Sequence, residues 1–250
     1  MNTTAIRTAF HLDGFVIIEG FFDEAEMANV DAAISRYLRE VVPHLPPDQV
    51  FYEAAGCVIK SMNRLDEHDA FFADFKHDPR FLALTAEIFQ TDEAGIISES
   101  LQFFGKPARE GSVTPWHQDN GFQHYAPPES LMIWLALDDV DEENGCVVFA
   151  RGSQRLGTVA HRPSGVLGFS QTVTEPPDPA RFPEVNAVMR RGSVSLHDCN
   201  MFHRSGPNRS VRPRRALAVN FRTTRAQANL AERARVKVEV ARLLQGQPHE

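Results

Sequence analysis

The triplet His117-Gln118-Asp119 and the separate His203 are the residues of this chain best suited by type to hold a metal ion. A His-x-Asp triplet on a strand carries both side chains on one face, because side chains alternate with period two. One ion can then take two ligands from one short segment. His203, in HDCNMFHRSGPNRS, offers a third donor and is expected at the end of a strand, before a turn-rich Ser-Gly-Pro-Asn run. Two imidazoles and a carboxylate, with no fourth protein ligand, leave three positions open on an octahedral ion. That set suits non-haem Fe(II), where a cosubstrate and O2 must bind side by side. Closed tetrahedral zinc would want a fourth protein ligand, and hydrolytic zinc a nearby general base, which has no candidate here.

The triplet alone is weak evidence. With 10 His and 15 Asp in 250 residues, chance supplies about 0.6 such triplets. The chain in fact carries a second, His11-Leu12-Asp13, placed where a first helix should end with Gly14 as its stop. We read that one as a surface helix terminus. His117 differs in following Pro115-Trp116 inside a strand-rich region and in having a third donor downstream. His197 is the local competitor of His203.

Seven arginines crowd into residues 204–225, at positions 204, 209, 212, 214, 215, 222 and 225. They suit either a basic patch for nucleic acid or a site for one small anion. Strand parity separates them. Arg214, Ala216, Ala218 and Asn220 share one face, small and polar; Arg215, Leu217, Val219 and Phe221 share the other, bulky and apolar. Arg214 thus reads as a planar fork for a carboxylate inside a barrel, whereas Arg209, Arg212 and Arg215 read as surface residues.

These residues need elements to hold them. The first third reads as helices around short strands. Asp23 with Glu26 resembles a capping box, Phe22 is placed to staple onto Met27, and Met27, Val30, Ile34, Tyr37, Leu38 and Val41 recur at helical spacing. A further helix is expected over 79–89, with Pro79 in its first turn. From residue 96 the texture turns to strands, expected over 96–105, 131–140, 146–150, 193–197 and 214–223, with a turn at Asn144-Gly145. The pattern predicts a mainly β fold with helices, a sandwich or jelly roll buttressed by an N-terminal helical layer. Residues 163–183 hold five prolines and are expected to form a long surface loop, either a substrate lid or a plain excursion; residues 226–244 suit a terminal helix of no assigned role.

Composition narrows the function classes. Net charge is −7, which opposes general attraction to phosphate backbones. No run of 18 apolar residues offers a membrane span, and the N-terminal residues lack the plan of a secretory signal. Cys57, Cys146 and Cys199 form no disulfide framework, so a reducing cytoplasm is the expected location.

The segments PWHQD, IWLALDDVDEENG and GSVSLHDCNMFHRSGPNRSVRPRRALAVNF together resemble the phytanoyl-CoA dioxygenase family of 2-oxoglutarate-dependent oxygenases. FHLDGFVIIEGFFDEAEM and VIKSMNRLDEHDAFF are similar to its N-terminal half, so the resemblance spans roughly residues 8 to 225. It implies a single domain over 1–250, with a helical layer to about residue 95 and a double-stranded β-helix (cupin-like) over about 96–225. It implies Fe(II) on His117, Asp119 and His203 as the catalytic centre. It further implies 2-oxoglutarate held by Arg214, eleven residues beyond the distal histidine, with Ser205, Gln102, Trp134 and Lys60 around it. Arg204, where many relatives have glycine, and Gln154, in place of a common histidine, depart from the pattern.

The activity so implied is hydroxylation of a C–H bond of a small metabolite or natural-product intermediate, consuming O2 and releasing succinate and CO2, with ascorbate stimulating. Asp119 favours hydroxylation over halogenation, since halogenating relatives lack the metal carboxylate. Phytanoyl-CoA itself is not carried over as substrate. A small-molecule substrate, without nucleic acid or membrane, is the expected partner; oligomeric state is left open. A nucleic-acid demethylating oxygenase and a non-catalytic metal-binding barrel are the alternatives.

Overall fold

The computed structural model describes residues 2–53, 56, 58–166 and 169–245. Helix α1 (Thr3–Asp13) ends at Gly14, whose φ of +84° turns its N–H back onto the Phe10 carbonyl. His11 and Asp13 therefore sit at a helix end, as expected; His11 Nε2 meets the Ile88 carbonyl at 3.0 Å. Helix α2 (Glu24–Glu40) starts with the reciprocal box: Glu26 N–H donates to Asp23 Oδ1 at 2.9 Å and Asp23 N–H to Glu26 Oε2 at 2.8 Å. Its face of Met27, Val30, Ile34 and Tyr37 is buried, while Leu38 stays 38% exposed. Losing such a cap costs about 1 kcal/mol. Asp23→Ala should lower unfolding free energy by that amount in a denaturant titration and leave turnover per folded molecule unchanged.

Short helices α3 (Leu65–His68) and α4 (Ala70–Phe75) lead to α5 (Pro79–Phe89), whose bounds are those expected. Phe21, Phe22, Phe75 and Phe81 pack together between these helices and the sheet, with Arg80 over Phe22 at 4.3 Å.

Among the described residues the strands form two facing sheets and two short pairs. In chain order they are β1 (Phe15–Ile18), β2 (Val50–Tyr52), β3 (Ile59–Asn63), β4 (Ile96–Lys106), β5 (Thr114–His117), β6 (Tyr125–Ala126), β7 (Ser130–Ala136) and β8 (Val147–Ala150). There follow β9 (His161–Val166), β10 (Phe169–Val173), β11 (Glu184–Asn186), β12 (Val194–Asp198), β13 (His203–Ser205), β14 (Arg214–Thr223) and β15 (Gln227–Ala228). The larger sheet runs β1-β12-β7-β14-β4-β3-β2 and the smaller β11-β8-β13-β5. This is a jelly roll, mostly antiparallel, with helices behind the larger sheet. The N-terminal layer is more than helical, since β1, β2 and β3 extend that sheet at both edges.

β14 has the expected bounds and the expected parity. Leu217, Val219 and Phe221 join the core shared with the helices. Ala216 and Ala218 face the smaller sheet with Met132, Trp134, Val147 and Phe149. The Asn144-Gly145 turn crosses from β7 in one sheet to β8 in the other, so it is no hairpin. Residues 163–183 are not one long loop: β9 and β10 pair as a ribbon, and Thr172 Oγ1 donates to the Trp116 carbonyl on β5 at 2.7 Å. Pro163 and Gly165 within β9 hid those strands. Cys146 and Cys199 are free and buried, while Cys57 lies outside the described residues. Helix α6 (Asn120–Gln123) follows β5, and α7 (Leu230–Gln245) is the last of the described elements. Among the described residues no helix is long and apolar enough to cross a membrane.

Candidate metal centre

His117 is the last residue of β5 and His203 the first of β13, and the two are direct cross-strand partners. Their rings lie 4.0 Å apart, centroid to centroid. Two expectations change in detail. His203 opens a strand where it was placed at the end of one. Asp119 does not lie on the strand with His117; it stands in the turn that starts α6, with φ −60° and ψ −36°. The turn brings its carboxylate back: Asp119 Oδ1 is 3.9 Å from His117 Nε2 and 3.7 Å from His203 Nε2. One donor atom from each of the three residues lies within 4.8 Å of the others.

Gln118, the middle of the triplet, has a structural task the sequence did not disclose. Wholly buried, it donates from Nε2 to the carbonyls of Asn200 at 2.6 Å and Gly157 at 2.8 Å, and accepts from Val159 N–H at 2.8 Å. It thereby ties the Asp119 turn to the segment entering His203. Asn120 N–H adds a bond to the Cys199 carbonyl at 2.8 Å.

The donor set fits a cation. His117 Nδ1 faces the Pro115 carbonyl at 2.9 Å and His203 Nδ1 the Met201 carbonyl at 3.0 Å. Each Nδ1 must carry the proton, which leaves each Nε2 lone pair facing an Asp119 oxygen. Burial lowers both imidazole pKa values and favours this neutral form. Burial alone would raise the Asp119 carboxyl, but positive charge at the site, on His203, His197 and His117 or on a cation standing between them, outweighs it and keeps the carboxylate ionised. Two lone pairs and a carboxylate converging in a buried place repel one another unless a cation stands between them.

His197 is not one of the three. From β12 its Nε2 donates to the other oxygen, Asp119 Oδ2, at 3.1 Å, so the sequence's competitor for the third position is the residue that orients the carboxylate. Its Nδ1 is buried without a partner.

The triad opens on a cavity of about 590 Å³. Arg214, Ser205, Gln102, Trp134, Lys60 and Phe104 all line it. Arg214 is 4% exposed, its guanidinium lies 5.3 Å from the Trp134 ring, and its Nε meets no acceptor. Burial pulls its pKa down to about 10. Arg215, one position on, points away to Asp138 at 2.7 Å, as its parity requires. None of the described residues of 163–183 lines this cavity, and through Thr172 the described part of the ribbon backs β5.

Two cationic lining residues went unforeseen. Lys106 lies at the end of β4, one residue past the expected strand. Arg233 reaches in from α7, donating from Nε to the Gln123 carbonyl at 2.6 Å and lying 5.1 Å from the Tyr125 ring. The terminal helix, left without a role by the sequence, thus supplies part of the wall. Local pattern could not reveal it, because the β15–β6 pair that brings it there joins residues about a hundred positions apart.

Comparison with known proteins gives the same picture. The chain is 24% identical to an Arabidopsis thaliana phytanoyl-CoA dioxygenase over 84% of this chain and 85% of that protein. Its fold is similar to that of EctD from S. alaskensis, solved with 2-oxoglutarate and 5-hydroxyectoine, at a TM-score of 0.74 and 20% identity, covering 89% and 77% of the two chains. It is also similar to the epimerase SnoN, solved with Fe3+, α-ketoglutarate and nogalamycin RO, at 0.73 and 20%, covering 90% and 85%. The sequence model of phytanoyl-CoA dioxygenase matches residues 10–216, from α1 into β14. The chain belongs to the phytanoyl-CoA dioxygenase family of 2-oxoglutarate-dependent non-haem iron oxygenases.

Proposed function

We propose that this protein hydroxylates a compact, polar small molecule, with Fe(II) held by His117, Asp119 and His203 and 2-oxoglutarate held by Arg214. The observation that carries this is the convergence of three metal donors and a buried arginine on one cavity. When bound, Fe(II) would supply the activation of O2, coupled to decarboxylation of 2-oxoglutarate to succinate and CO2. The protein's own part is positioning. The Pro115 and Met201 carbonyls fix both imidazoles, and His197 fixes the Asp119 carboxylate. Arg214, steadied by Trp134, receives a carboxylate, with Ser205, Gln102 and Lys60 lining the same space. The same reading takes residues 1–250 as one oxygenase domain.

The substrate class follows from the rest of the wall. Glu99, Ser100, Gln123, Tyr125, Asn220 and Arg233 line it, and the Asn220 amide nitrogen is buried without a partner. A long branched acyl chain would desolvate these groups and bond to none, which for the unpartnered Asn220 amide costs about 1–3 kcal/mol. A compact molecule rich in hydrogen-bonding groups satisfies them. Its identity can be sought by supplying Fe(II), ascorbate and 2-oxoglutarate and reading succinate release across a panel of polar metabolites and long-chain acyl-CoAs. Stimulation by a polar compound is expected. Stimulation by acyl-CoAs only would overturn the substrate class, and no succinate under any condition would overturn the activity.

A further inference from the structure

We propose that Lys106 is a second cationic contact for the far carboxylate of 2-oxoglutarate, acting beside Arg214. This rests on the reading of the cavity as a 2-oxoglutarate site. Lys106 ends β4 as the register partner of Arg214 on β14, and both side chains line the cavity. It is 5% exposed, although a lysine is almost never buried without an anion. Its aliphatic stem runs against Gly145: a Cβ there would come within 3.1 Å of Lys106 Cδ. Its Nζ donates to the Ser112 carbonyl, and Ser112 N–H in turn donates to Glu53 Oε1 at 3.0 Å. The partner of Lys106 Nζ is thus a neutral carbonyl, and Arg214 Nε is buried without a partner.

The charged and titratable groups facing this pair are Lys60 from β3, Glu53 beyond β2, Cys146 before β8 and Asp138 beyond β7. Cations outweigh anions around Lys106. Burial first, then Arg214 and Lys60, hold its pKa down at about 6 against the pull of Glu53. A bound carboxylate reverses that balance. Lys106 would be largely neutral at pH 7.5 in the free protein and charged in the complex, so binding should take up a proton. Above pH 6 the affinity for 2-oxoglutarate should therefore weaken as pH rises, by several-fold per pH unit. The pairing also favours a dicarboxylate over a 2-oxo acid with one carboxylate.

The test is calorimetric titration of the Fe(II)-loaded protein with 2-oxoglutarate, without oxygen, at pH 7.5 in two buffers of different ionisation heat. Roughly one proton taken up by the wild type is expected. Lys106→Met should abolish the uptake and weaken binding about 10-fold or more, the loss of one charge-assisted bond. Lys106→Arg should keep much of the affinity with no uptake, because a guanidinium stays charged throughout. Binding by the wild type with no proton uptake and pH-independent affinity would overturn the proposal even where the variants fail to fold. So would a Lys106→Met protein that binds as the wild type does. Absence of 2-oxoglutarate binding altogether would instead overturn the reading on which the proposal stands.

Discussion

Alanine at His117, Asp119 or His203 is expected to abolish Fe(II)-dependent consumption of 2-oxoglutarate, while alanine at His11 or Asp13 leaves it near wild type. The difference is one of surroundings. His11 and Asp13 lie at the solvent-facing end of α1, where His11 bonds a carbonyl and Asp13 lies 3.8 Å from Arg151. The other three aim their donor atoms at one another in a buried place. Removing one breaks the set of two imidazoles and a carboxylate that suits an open-sided Fe(II) site for hydroxylation. His197→Ala should act more weakly, costing about 10- to 100-fold in iron affinity or activity, as loss of an outer hydrogen-bond partner does. Equilibrium iron binding by each variant, followed by succinate assays at saturating iron, separates the two classes. Full activity with bound iron in His203→Ala would refute the assignment and make His197 the next ligand to test.

The second large effect concerns adjacent arginines. Arg214→Ala should weaken 2-oxoglutarate binding about 100-fold or more. A bidentate fork makes two charge-assisted bonds of roughly 1.5–3 kcal/mol each, and each 1.4 kcal/mol is tenfold in affinity. Lysine at 214 should restore only part of this, since it offers a point charge. Iron affinity should barely change. Arg215→Ala should leave cosubstrate affinity intact, because Arg215 spends its donors on Asp138: Nη2 to Oδ1 at 2.7 Å and Nε to Oδ2 at 3.0 Å. That pair is part-exposed, so its loss should cost about 1 kcal/mol of stability or less. Titration of the Fe(II) charge-transfer band without oxygen reads cosubstrate affinity in both variants. A larger loss for Arg215 than for Arg214 would mean that β14 faces the other way.

The parity of β14 could be read from sequence because a strand buried on two unlike faces writes a period of two into its residues. The bounds of α5 and the start of α2 were legible for a similar reason: Pro79 and the Asp23–Glu26 box act locally. The three converging donors were legible by type and order, but not by the way they are brought together. Asp119 reaches the site through a turn held by Gln118, and those bonds run to Gly157, Val159 and Asn200, far along the chain. The β9–β10 ribbon escaped because Pro163 and Gly165 and the proline-rich stretch after β10 give the segment a turn-like composition. Lys106 and Arg233 escaped because only the pairing of β4 with β14, and of β6 with β15, brings them to the cavity. What is local in cause was visible in the sequence; what depends on long-range pairing was not.

The most direct test of the central claim is an oxygen-free titration of the wild-type protein, first with Fe(II) and then with 2-oxoglutarate, watching for a metal-to-ligand charge-transfer band. One equivalent of iron should bind, and 2-oxoglutarate should then bring up the band to saturation at one equivalent. The band should be absent without iron and absent in His203→Ala. Full development of the band in His203→Ala, or its absence from wild-type protein loaded with iron and excess 2-oxoglutarate, would contradict the account.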